Sequence, residues 1–428
     1  MKKAKVQKLI GMRDIFGDEQ KYLQKIYNTA KNIIDFYGFE RIYTPILEQV
    51  ELFEKGTGLS TDIVKKQMFA FKTKGGDSVA LRPEGTPSIA RAYIENGMHV
   101  LPQPIKLWYF GPFFRYERPQ AGRYRQFYQI GIEVLGESDS VIDAQIIQIF
   151  YSILKELKIK NIIIEINSIG DHQCRAYYRK LLLSYLKNRE SLLCSNCQRR
   201  LRENPLRILD CKEEKCQKVV KRAPQMINHL CDECKKHFKE VLEFLDNMEL
   251  PYNLNPYLVR GLDYYTKTVF EMHQDIEDGK KQGALIAGGR YDKLFKSLGG
   301  KDMPACGGAI GIERIINVMK DMNISIPLFF SPKIFLAHLG VLSKRKSLEL
   351  FEKFRKAKIP VAESFSKDSL RAQLKIADNL GIDYTLILGQ KEIFEKEIIL
   401  REMKTGKQET IKMDKIIDVI RKKLKKIT

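Results

Sequence analysis

The 428-residue sequence contains no apolar run that approaches the length of a membrane-spanning helix. Its first residues, Met-Lys-Lys-Ala-Lys-Val-Gln-Lys, also lack the apolar core of a signal peptide. Internal repeats and low-complexity segments are absent as well. The lack of a long apolar run and of a signal-peptide core argues against a helical membrane protein, and we expect a cytoplasmic protein. An apolar content of 44% is ordinary for a globular chain, and 428 residues are too many for one core, so we expect two or three domains.

Acidic residues are the scarcer charged type, and the formal net charge is +21. Such an excess favours a polyanionic partner such as nucleic acid, although a generally lysine-rich composition would produce it too. From Ser331 onward there are 23 Lys and Arg against 13 Asp and Glu, an excess of ten positive charges. Because nearly half of the net charge lies in the last quarter of the chain, we expect the nucleic-acid contact there.

Cysteine is rare outside one segment, since six of the eight cysteines lie between Cys194 and Cys234. In a cytoplasmic chain this clustering indicates free thiols or a metal site and not disulfides. Two pairs have zinc-like spacing, Cys194-x2-Cys197 and Cys231-x2-Cys234, and Cys211-x4-Cys216 lies between them. The four thiolates of the outer pairs could form one tetrahedral structural Zn²⁺ site. The spacing permits zinc but does not require it.

The order of predicted elements divides the chain. Two long strands, at 105–117 and 125–135, follow one another without a helix between them, which predicts an antiparallel sheet and not a Rossmann fold. Residues 171–247 are charged, helical and cysteine-bearing, and we interpret them as an insertion. From residue 331 strands and helices alternate. We therefore predict an α+β core over 1–326 with a helical insertion at about 171–247, and an α/β domain over 331–428.

The segment Arg260-Gly-Leu-Asp-Tyr-Tyr-Thr266 is the most informative motif. We predict a strand over 257–270, which would place Arg260 and Tyr264 on one face and Tyr265 on the other. A buried arginine beside two phenols suits a site that binds a phosphate or carboxylate next to a polar ring. The structural alternative is a pair of core tyrosines, with the arginine neutralised by the neighbouring aspartate.

Two further segments carry groups of the same kind. Arg82-Pro-Glu-Gly-Thr86 presents a carboxylate and a hydroxyl on a rigid turn before a helix, as acceptors for an ammonium group. A helix-capping motif is the alternative. Phe113-Phe-Arg-Tyr-Glu117 and Arg123-Tyr-Arg-Gln-Phe127 flank a basic loop, and an antiparallel pair would bring Arg115 and Phe127 to one site, for a phosphate and a base.

The second long strand continues this face. Strand periodicity places Gln129 and Glu133 on the same side as Phe127. A buried glutamate inside a strand is unfavourable unless it is paired or binds something, so Glu133 is a candidate ligand-binding group. Farther along, Glu313-Arg314 follows a glycine-rich strand at a predicted helix start, where Arg314 could stack on a base or bind a phosphate.

These motifs resemble those of class II aminoacyl-tRNA synthetases. Their motifs 1, 2 and 3 are similar to Gly38-Phe-Glu-Arg-Ile-Tyr-Thr-Pro45, to Phe113–Glu117 with its basic loop, and to Gly311-Ile-Glu-Arg314. Arg260-Gly-Leu-Asp-Tyr-Tyr265 and Ala287-Gly-Gly-Arg-Tyr-Asp292 resemble the two histidine-specific motifs of the histidyl-tRNA synthetases. With Arg82–Thr86 included, the resemblance covers essentially the whole chain in the family's order.

The resemblance implies a role for each candidate residue. The implied catalytic residues are Arg115 and Arg260, which would bind the α-phosphate of ATP. Histidine would be bound by Glu84, Gly85, Thr86, Gln129, Glu133, Tyr264, Tyr265 and Tyr291. Within that set, Glu84, Thr86 and Gln129 would hold the α-amino group. Glu133 and Tyr265 would hydrogen-bond the imidazole nitrogens. ATP would be bound by Arg115, Glu117, Arg123, Phe127 and Arg314, with the adenine between Phe127 and Arg314.

The implied activity is that of a histidine–tRNA ligase. Such an enzyme activates L-histidine with ATP, supplied with Mg²⁺, to histidyl-adenylate and pyrophosphate, and then transfers histidine to the 3′ end of tRNA(His). The resemblance also implies a homodimer with an interface near Pro45, an anticodon-binding tail domain, and an insertion that contacts the tRNA acceptor arm. Zinc is not implied, because many family members lack these cysteines.

Two other functions remain as alternatives. One is a regulatory paralogue that partners the first enzyme of histidine biosynthesis, but such proteins usually lack the tail domain and key site residues. This chain keeps Arg115, Arg260 and Arg314 and a basic tail, which favours the enzyme. The other is a general nucleic-acid-binding protein, which would explain the charge but not the pattern of Glu, Gln and Tyr.

Overall fold

A computed structural model describes residues 6–120, 122–275, 283–326 and 332–425. The chain forms two units, Met1–Ile326 and Pro327–Thr428. The boundary predicted at residue 331 lies outside the described residues. Within the described ranges, no helix is both long enough and apolar enough to cross a bilayer.

The first unit contains eleven strands among its described residues: β1 (Glu40–Arg41), β2 (Leu47–Gln49), β3 (Phe69–Lys72), β4 (Ser78–Leu81), β5 (Ile105–Phe114), β6 (Gln126–Leu135), β7 (Ile162–Ser168), β8 (Tyr252–Leu254), β9 (Thr266–Gln274), β10 (Ile286–Arg290) and β11 (Ala305–Gly311). Its described α-helices are α1 (Asp18–Phe36), α2 (Val50–Phe53), α3 (Thr86–Glu95), α4 (Ser140–Glu156), α5 (His172–Lys187), α6 (Ser195–Glu203), α7 (Glu214–Val220), α8 (Asp232–Asn247), α9 (Leu294–Ser297) and α10 (Ile312–Asp321). Short 3₁₀ or π turns lie at Glu54–Gly58, Ile63–Gln67, Met98–Val100, Glu190–Leu192, Pro205–Ile208 and Met226–His229.

An eight-stranded sheet in the order β1-β5-β6-β11-β10-β9-β7-β8 forms the centre of this unit. The six strands from β5 to β7 pair antiparallel, and only the edge strands β1 and β8 pair parallel. The prediction of an antiparallel core is confirmed. Strands β2, β4 and β3 form a separate three-stranded sheet, in which β3 and β4 pair antiparallel as a hairpin.

The two faces of the large sheet differ because side chains alternate along each strand. On one face, Ile130, Ile132 and Val134 of β6 pack against apolar residues of α1, α4, α8 and α10 in the largest core. Full burial of a side chain of this size stabilises the folded state by about 1.5–3 kcal/mol. Gln129, Gly131 and Glu133 therefore face the opposite side, as predicted.

The strand predicted over 257–270 is wrong in its first half, because β9 begins only at Thr266. The preceding backbone bonds to side chains instead of to a neighbouring strand. Asn167 donates to the carbonyl of Leu258 at 3.0 Å, and Arg207 donates to the carbonyl of Arg260 at 3.2 Å. The face assignment made for Tyr264 and Tyr265 is therefore also wrong, since an irregular loop has no alternation.

Residues 171–247 are helical, as predicted, and contain α5 to α8. They have an apolar cluster of their own, which includes Tyr178, Leu182, Leu201 and several cysteines. The insertion is thus a small packed body within the first unit.

The second unit contains β12 (Ile334–His338), β13 (Val361–Glu363), β14 (Tyr384–Leu388), β15 (Glu397–Glu402) and β16 (Gln408–Lys412), with α11 (Val341–Lys356), α12 (Leu370–Asn379), α13 (Gln390–Glu395) and α14 (Ile416–Leu424). Its sheet has the order β13-β12-β14-β15-β16. The first three strands are parallel and the last two antiparallel. The predicted α/β domain is confirmed.

Candidate active site

A cleft of about 840 Å³ opens over the sheet face that carries Gln129. Its volume lies in the range of small-molecule sites. Twelve of the fourteen candidate residues line it: Glu84, Gly85, Thr86, Arg115, Glu117, Arg123, Phe127, Gln129, Arg260, Tyr264, Tyr265 and Arg314. The other two, Glu133 and Tyr291, are buried and contact residues of its lining.

The turn that carries Glu84 is held in place by Arg82. The Arg82 side chain donates to the carbonyls of Pro112 at 3.0 Å and Thr44 at 2.9 Å, which ties the turn to β5. Helix α3 begins at Thr86, and no side chain caps it. The capping alternative for this motif is therefore wrong, and the Thr86 hydroxyl is available for another bond.

Glu84 is a buried carboxylate that accepts hydrogen bonds from two hydroxyls. Tyr264 donates to one of its oxygens at 2.8 Å, and Thr57 donates to the other. Burial raises the pKa of Glu84, while the Thr57 hydrogen bond and the positive charge of Arg115 partly oppose that rise. A cationic group in the cleft would favour the ionised form.

Glu133 is fully buried and contacts Thr86, which lines the cleft. The Thr86 hydroxyl donates to it at 2.8 Å, and the Tyr291 hydroxyl donates to its other oxygen. Burial raises the pKa of Glu133 to about 8, although these two hydrogen bonds oppose the rise. In the cross-strand position, Gly307 leaves room for this carboxylate, because a Cβ there would overlap it.

Tyr109 is a site residue that the sequence reasoning missed. Its buried ring lines the cleft and lies against Gly85 and Gly131, where an added Cβ would overlap the ring. Burial raises the pKa of the Tyr109 hydroxyl well above its ordinary value, and the charge of Glu133 adds to this effect. Gly131 lies directly opposite Tyr109 in the β5–β6 ladder, and this pairing of glycine with an aromatic residue is the signal that could have identified it.

Four candidate arginines also line the cleft: Arg115, Arg123, Arg260 and Arg314. Arg115 donates to the Pro83 carbonyl at 2.9 Å, and its guanidinium lies 5.4 Å from the centre of the Phe127 ring, so the two share a site as predicted. Arg314 donates to the carbonyl of Ala284. Burial, together with the positive charges of Arg123 and Arg115, lowers the pKa of Arg314 to about 10. Such mutual repulsion favours the binding of a polyanion.

Arg260 forms an ion pair with Glu271, a residue of β9 that the sequence reasoning did not identify. Its Nε is buried without a hydrogen-bond partner among the described residues. The structural alternative required Asp263 to neutralise Arg260, and it does not do so. Instead, its carboxylate accepts hydrogen bonds from Ser60 at 2.6 Å and Asn204 at 3.0 Å.

Glu313 joins α10 to β6. Its carboxylate accepts the backbone N–H of Tyr128 at 3.0 Å, which holds the helix start against the strand. Burial raises the pKa of Glu313 to about 7. The neighbouring Arg314 lines the cleft.

The cysteines are arranged differently from the prediction. Cys194 and Cys197 lie with Cys211 and Cys216, whereas Cys231 and Cys234 lie with Cys174 and Asp171. The two outer pairs, which could have formed one site, therefore belong to separate groups. Cys174 was missed because it lies 20 residues before the next cysteine. None of the eight cysteines, which all lie in the described ranges, forms a disulfide.

The family profile described as "Histidyl-tRNA synthetase" matches residues 11–315. The chain belongs to the histidyl-tRNA synthetase family. A second profile, described as "Anticodon binding domain", matches residues 338–423. The histidine–tRNA ligase of Thermosipho melanesiensis is 45% identical over 416 residues, which cover 97% of this chain and 98% of that protein.

A solved structure agrees with this assignment. The apo histidyl-tRNA synthetase of S. aureus superposes with a TM-score of 0.81 and 32% identity, covering 97% of this chain and 99% of that one. A structure described as an ATP phosphoribosyltransferase regulatory subunit/histidyl-tRNA synthetase from Bacillus halodurans has a TM-score of 0.60 at 20% identity, over 89% of this chain and 97% of that one. The second likeness shows the fold alone.

Proposed function

We propose that the cleft forms histidyl-adenylate from L-histidine and ATP, and that the enzyme then transfers histidine to the 3′ end of tRNA(His). As a member of its family, the chain is an aminoacyl-tRNA synthetase, a histidine–tRNA ligase. ATP enters such enzymes as its Mg²⁺ complex. The observation that supports the site assignment is that a buried carboxylate, phenols and four candidate arginines line one cleft.

In this proposal histidine binds in the part of the cleft around Glu84. Glu84, Thr86 and Gln129 hold its α-amino group, for which a buried carboxylate supplies the opposite charge. The Gly85 backbone and the rings of Tyr264 and Tyr291 line the pocket around the substrate.

Glu133 and Tyr265 bind the two imidazole nitrogens. Both Glu133 oxygens already accept hydroxyl hydrogen bonds, from Thr86 and Tyr291. Each of these oxygens keeps a second lone pair, so Glu133 can accept an imidazole N–H in addition to the two hydroxyls. A site built to pair both ring nitrogens can reject an isostere that lacks them by about 10⁴–10⁵, so an editing site is unnecessary.

The arginines of the cleft bind ATP in this proposal. Arg115 and Arg260 bind the α-phosphate, which the histidine carboxylate attacks with loss of pyrophosphate. Two guanidiniums in a water-poor cleft stabilise the added negative charge of the transition state without reorganising, and loss of one such donor typically costs about 10²–10³ in rate. Glu117 and Arg123 orient the triphosphate.

Adenine binds between the Phe127 ring and the Arg314 guanidinium. Both residues line the cleft, and Arg314 is already placed by its bond to the Ala284 carbonyl. A flat base between an aromatic ring and a planar cation gains stacking on both faces.

The tRNA is contacted by more than one part of the chain in this proposal. The basic second unit reads the anticodon, in keeping with its matching profile. The insertion, several of whose residues line the cleft, contacts the acceptor arm. We further propose that charging takes place in the cytoplasm.

We also propose that the enzyme is a homodimer with an interface around Pro45. Three apolar side chains near this proline, Tyr43, Ile46 and Leu47, are exposed in the single chain. Their burial against a second copy would remove this apolar surface from water. Sedimentation equilibrium of the wild type and Ile46→Asp tests this, and a monomeric wild type would contradict it.

ATP–pyrophosphate exchange with each amino acid in turn tests the proposed chemistry. We expect exchange with histidine alone, and a loss of about 10²–10³ in Arg260→Ala. Arg202→Ala is the matched control, since this arginine of the insertion is largely exposed, and we expect it to exchange normally. Tight binding of histidine without exchange would instead indicate a regulatory paralogue.

A further inference from the structure

The cysteines of the insertion form two compact groups of four possible ligands. One is Cys194, Cys197, Cys211 and Cys216, and the other is Asp171, Cys174, Cys231 and Cys234. In each group one ligand atom per residue lies within 4.8 Å of all the others. We call them the four-cysteine cluster and the aspartate–cysteine cluster.

The dimensions of the four-cysteine cluster suit a tetrahedral metal ion. A Zn–S bond of about 2.3 Å with tetrahedral angles requires sulfurs about 3.8 Å apart. The Cys194 and Cys211 sulfurs are separated by 3.9 Å. The backbone N–H of Cys194 donates to the Cys216 sulfur at 3.2 Å, the kind of bond that supports a metal-bound thiolate.

The aspartate–cysteine cluster lies at the starts of two other helices. Asp171 precedes α5 and Cys231 precedes α8, and each is followed three residues later by a cysteine. One Asp171 oxygen accepts the Cys174 N–H at 2.8 Å, while the other lies 4.0 Å from the Cys231 sulfur. The Cys231 N–H donates to the Cys174 sulfur at 3.1 Å.

Both clusters adjoin segments that hold the Arg260 loop. Between Cys197 and Cys211, Asn204 donates to Asp263 at 3.0 Å and Arg207 donates to the Arg260 carbonyl at 3.2 Å. Next to Cys174, Arg175 donates to the Tyr265 carbonyl at 2.9 Å. A metal ion bound at either cluster would therefore hold in place the side chains that bind the Arg260 loop.

We propose that the insertion binds two structural Zn²⁺ ions, one in each cluster, and that they position the loop that carries Arg260. Four protein ligands leave no open coordination position, so the ions are structural and not catalytic. Thiolates in a tetrahedral set select zinc over the oxygen-preferring divalent ions. Zinc binding here releases protons from the thiols and involves no redox step.

Metal analysis of the full-length protein, expressed with ample zinc and freed of loose ions by gel filtration, tests the proposal. We expect two zinc ions per chain. Cys197→Ser and Cys234→Ser should each reduce the ratio from two to one. Cys306→Ser is the matched control, because this buried cysteine lies outside both clusters, and it should retain two ions.

Cobalt titration of chelator-treated wild type gives an answer that does not depend on the folding of any variant. Two equivalents of Co²⁺ should produce the intense absorption of tetrahedral cobalt–thiolate sites and raise Tm. A zinc ratio near zero together with no cobalt absorption would overturn the proposal. Iron in place of zinc, or disulfides between these cysteines, would overturn it as well.

Discussion

Arg290 and Asp143 form an ion pair in which both side chains are fully buried. The Arg290 Nε donates to Asp143 at 3.0 Å, and the rest of the guanidinium donates to the carbonyls of Glu137 at 2.9 Å and Asp139 at 3.0 Å. These bonds attach the end of β10 to the start of α4. The next residue, Tyr291, donates to Glu133 at the floor of the cleft.

Asp143→Asn should destabilise the first unit by about 3–5 kcal/mol, because it leaves the buried arginine with only the longer, 3.4 Å contact to Asp292 as a counter-charge. Urea unfolding of the two proteins measures the difference. Asp302→Asn is the control, since it breaks an exposed pair with Lys293 and should cost no more than about 1 kcal/mol. Equal, small losses in both variants would contradict this account of Arg290.

Glu133 should make the stability of the enzyme pH-dependent. Its pKa is about 8 when folded against an ordinary value of 4.5. Between these pH values the unfolded chain loses a proton that the folded chain keeps, so stability should fall as pH rises through this window. At about 1.4 kcal/mol for each pKa unit, Glu133 should lower the free energy of unfolding by several kcal/mol across this window. In Glu133→Gln this part of the decline should be absent.

Urea unfolding across that pH window measures the effect. Glu95→Gln, which alters a mainly exposed carboxylate, should keep the wild-type decline. If Glu133→Gln declines with pH as steeply as the wild type, the burial of Glu133 does not control the titration.

Gly131→Ala should impair both stability and histidine activation. The added methyl group would overlap the Tyr109 ring, which lines the cleft. Overpacking of this kind typically costs about 1–3 kcal/mol. Thermal unfolding and pyrophosphate exchange measure the two effects. Gly75→Ala is the control, since an added methyl group there would make only ordinary van der Waals contacts. A Gly131→Ala variant that is as stable and active as this control would contradict the proposed packing.

Deletion of residues 331–428 should separate the two steps of the reaction. The first unit contains all the proposed residues for histidine and ATP, so pyrophosphate exchange should persist. Charging of tRNA(His) should fall severely, because the deleted unit carries the predicted anticodon contact and about ten net positive charges. Charging at the wild-type rate would show that the domain has been misassigned.

Much of the core could be predicted because its strands are regular. Alternation placed Phe127, Gln129 and Glu133 on one face before any contact was known. The same rule failed at Tyr264 and Tyr265, because they lie in an irregular loop whose backbone is bound by distant side chains, such as Arg175 at the Tyr265 carbonyl. Tyr109 was missed because its role depends on glycines that face it from other parts of the fold.

By itself, the sequence determined the motifs, their order, the antiparallel core and the resemblance to a family, since each depends on residue type and local periodicity. Only the tertiary structure decided how the cysteines are grouped, that Glu271 pairs with Arg260, and that Asp143 pairs with Arg290. Spacing along the chain does not specify these partners. They are selected by which helix starts and strand ends the packed core brings together, where a buried charge or thiol must find a partner or a ligand.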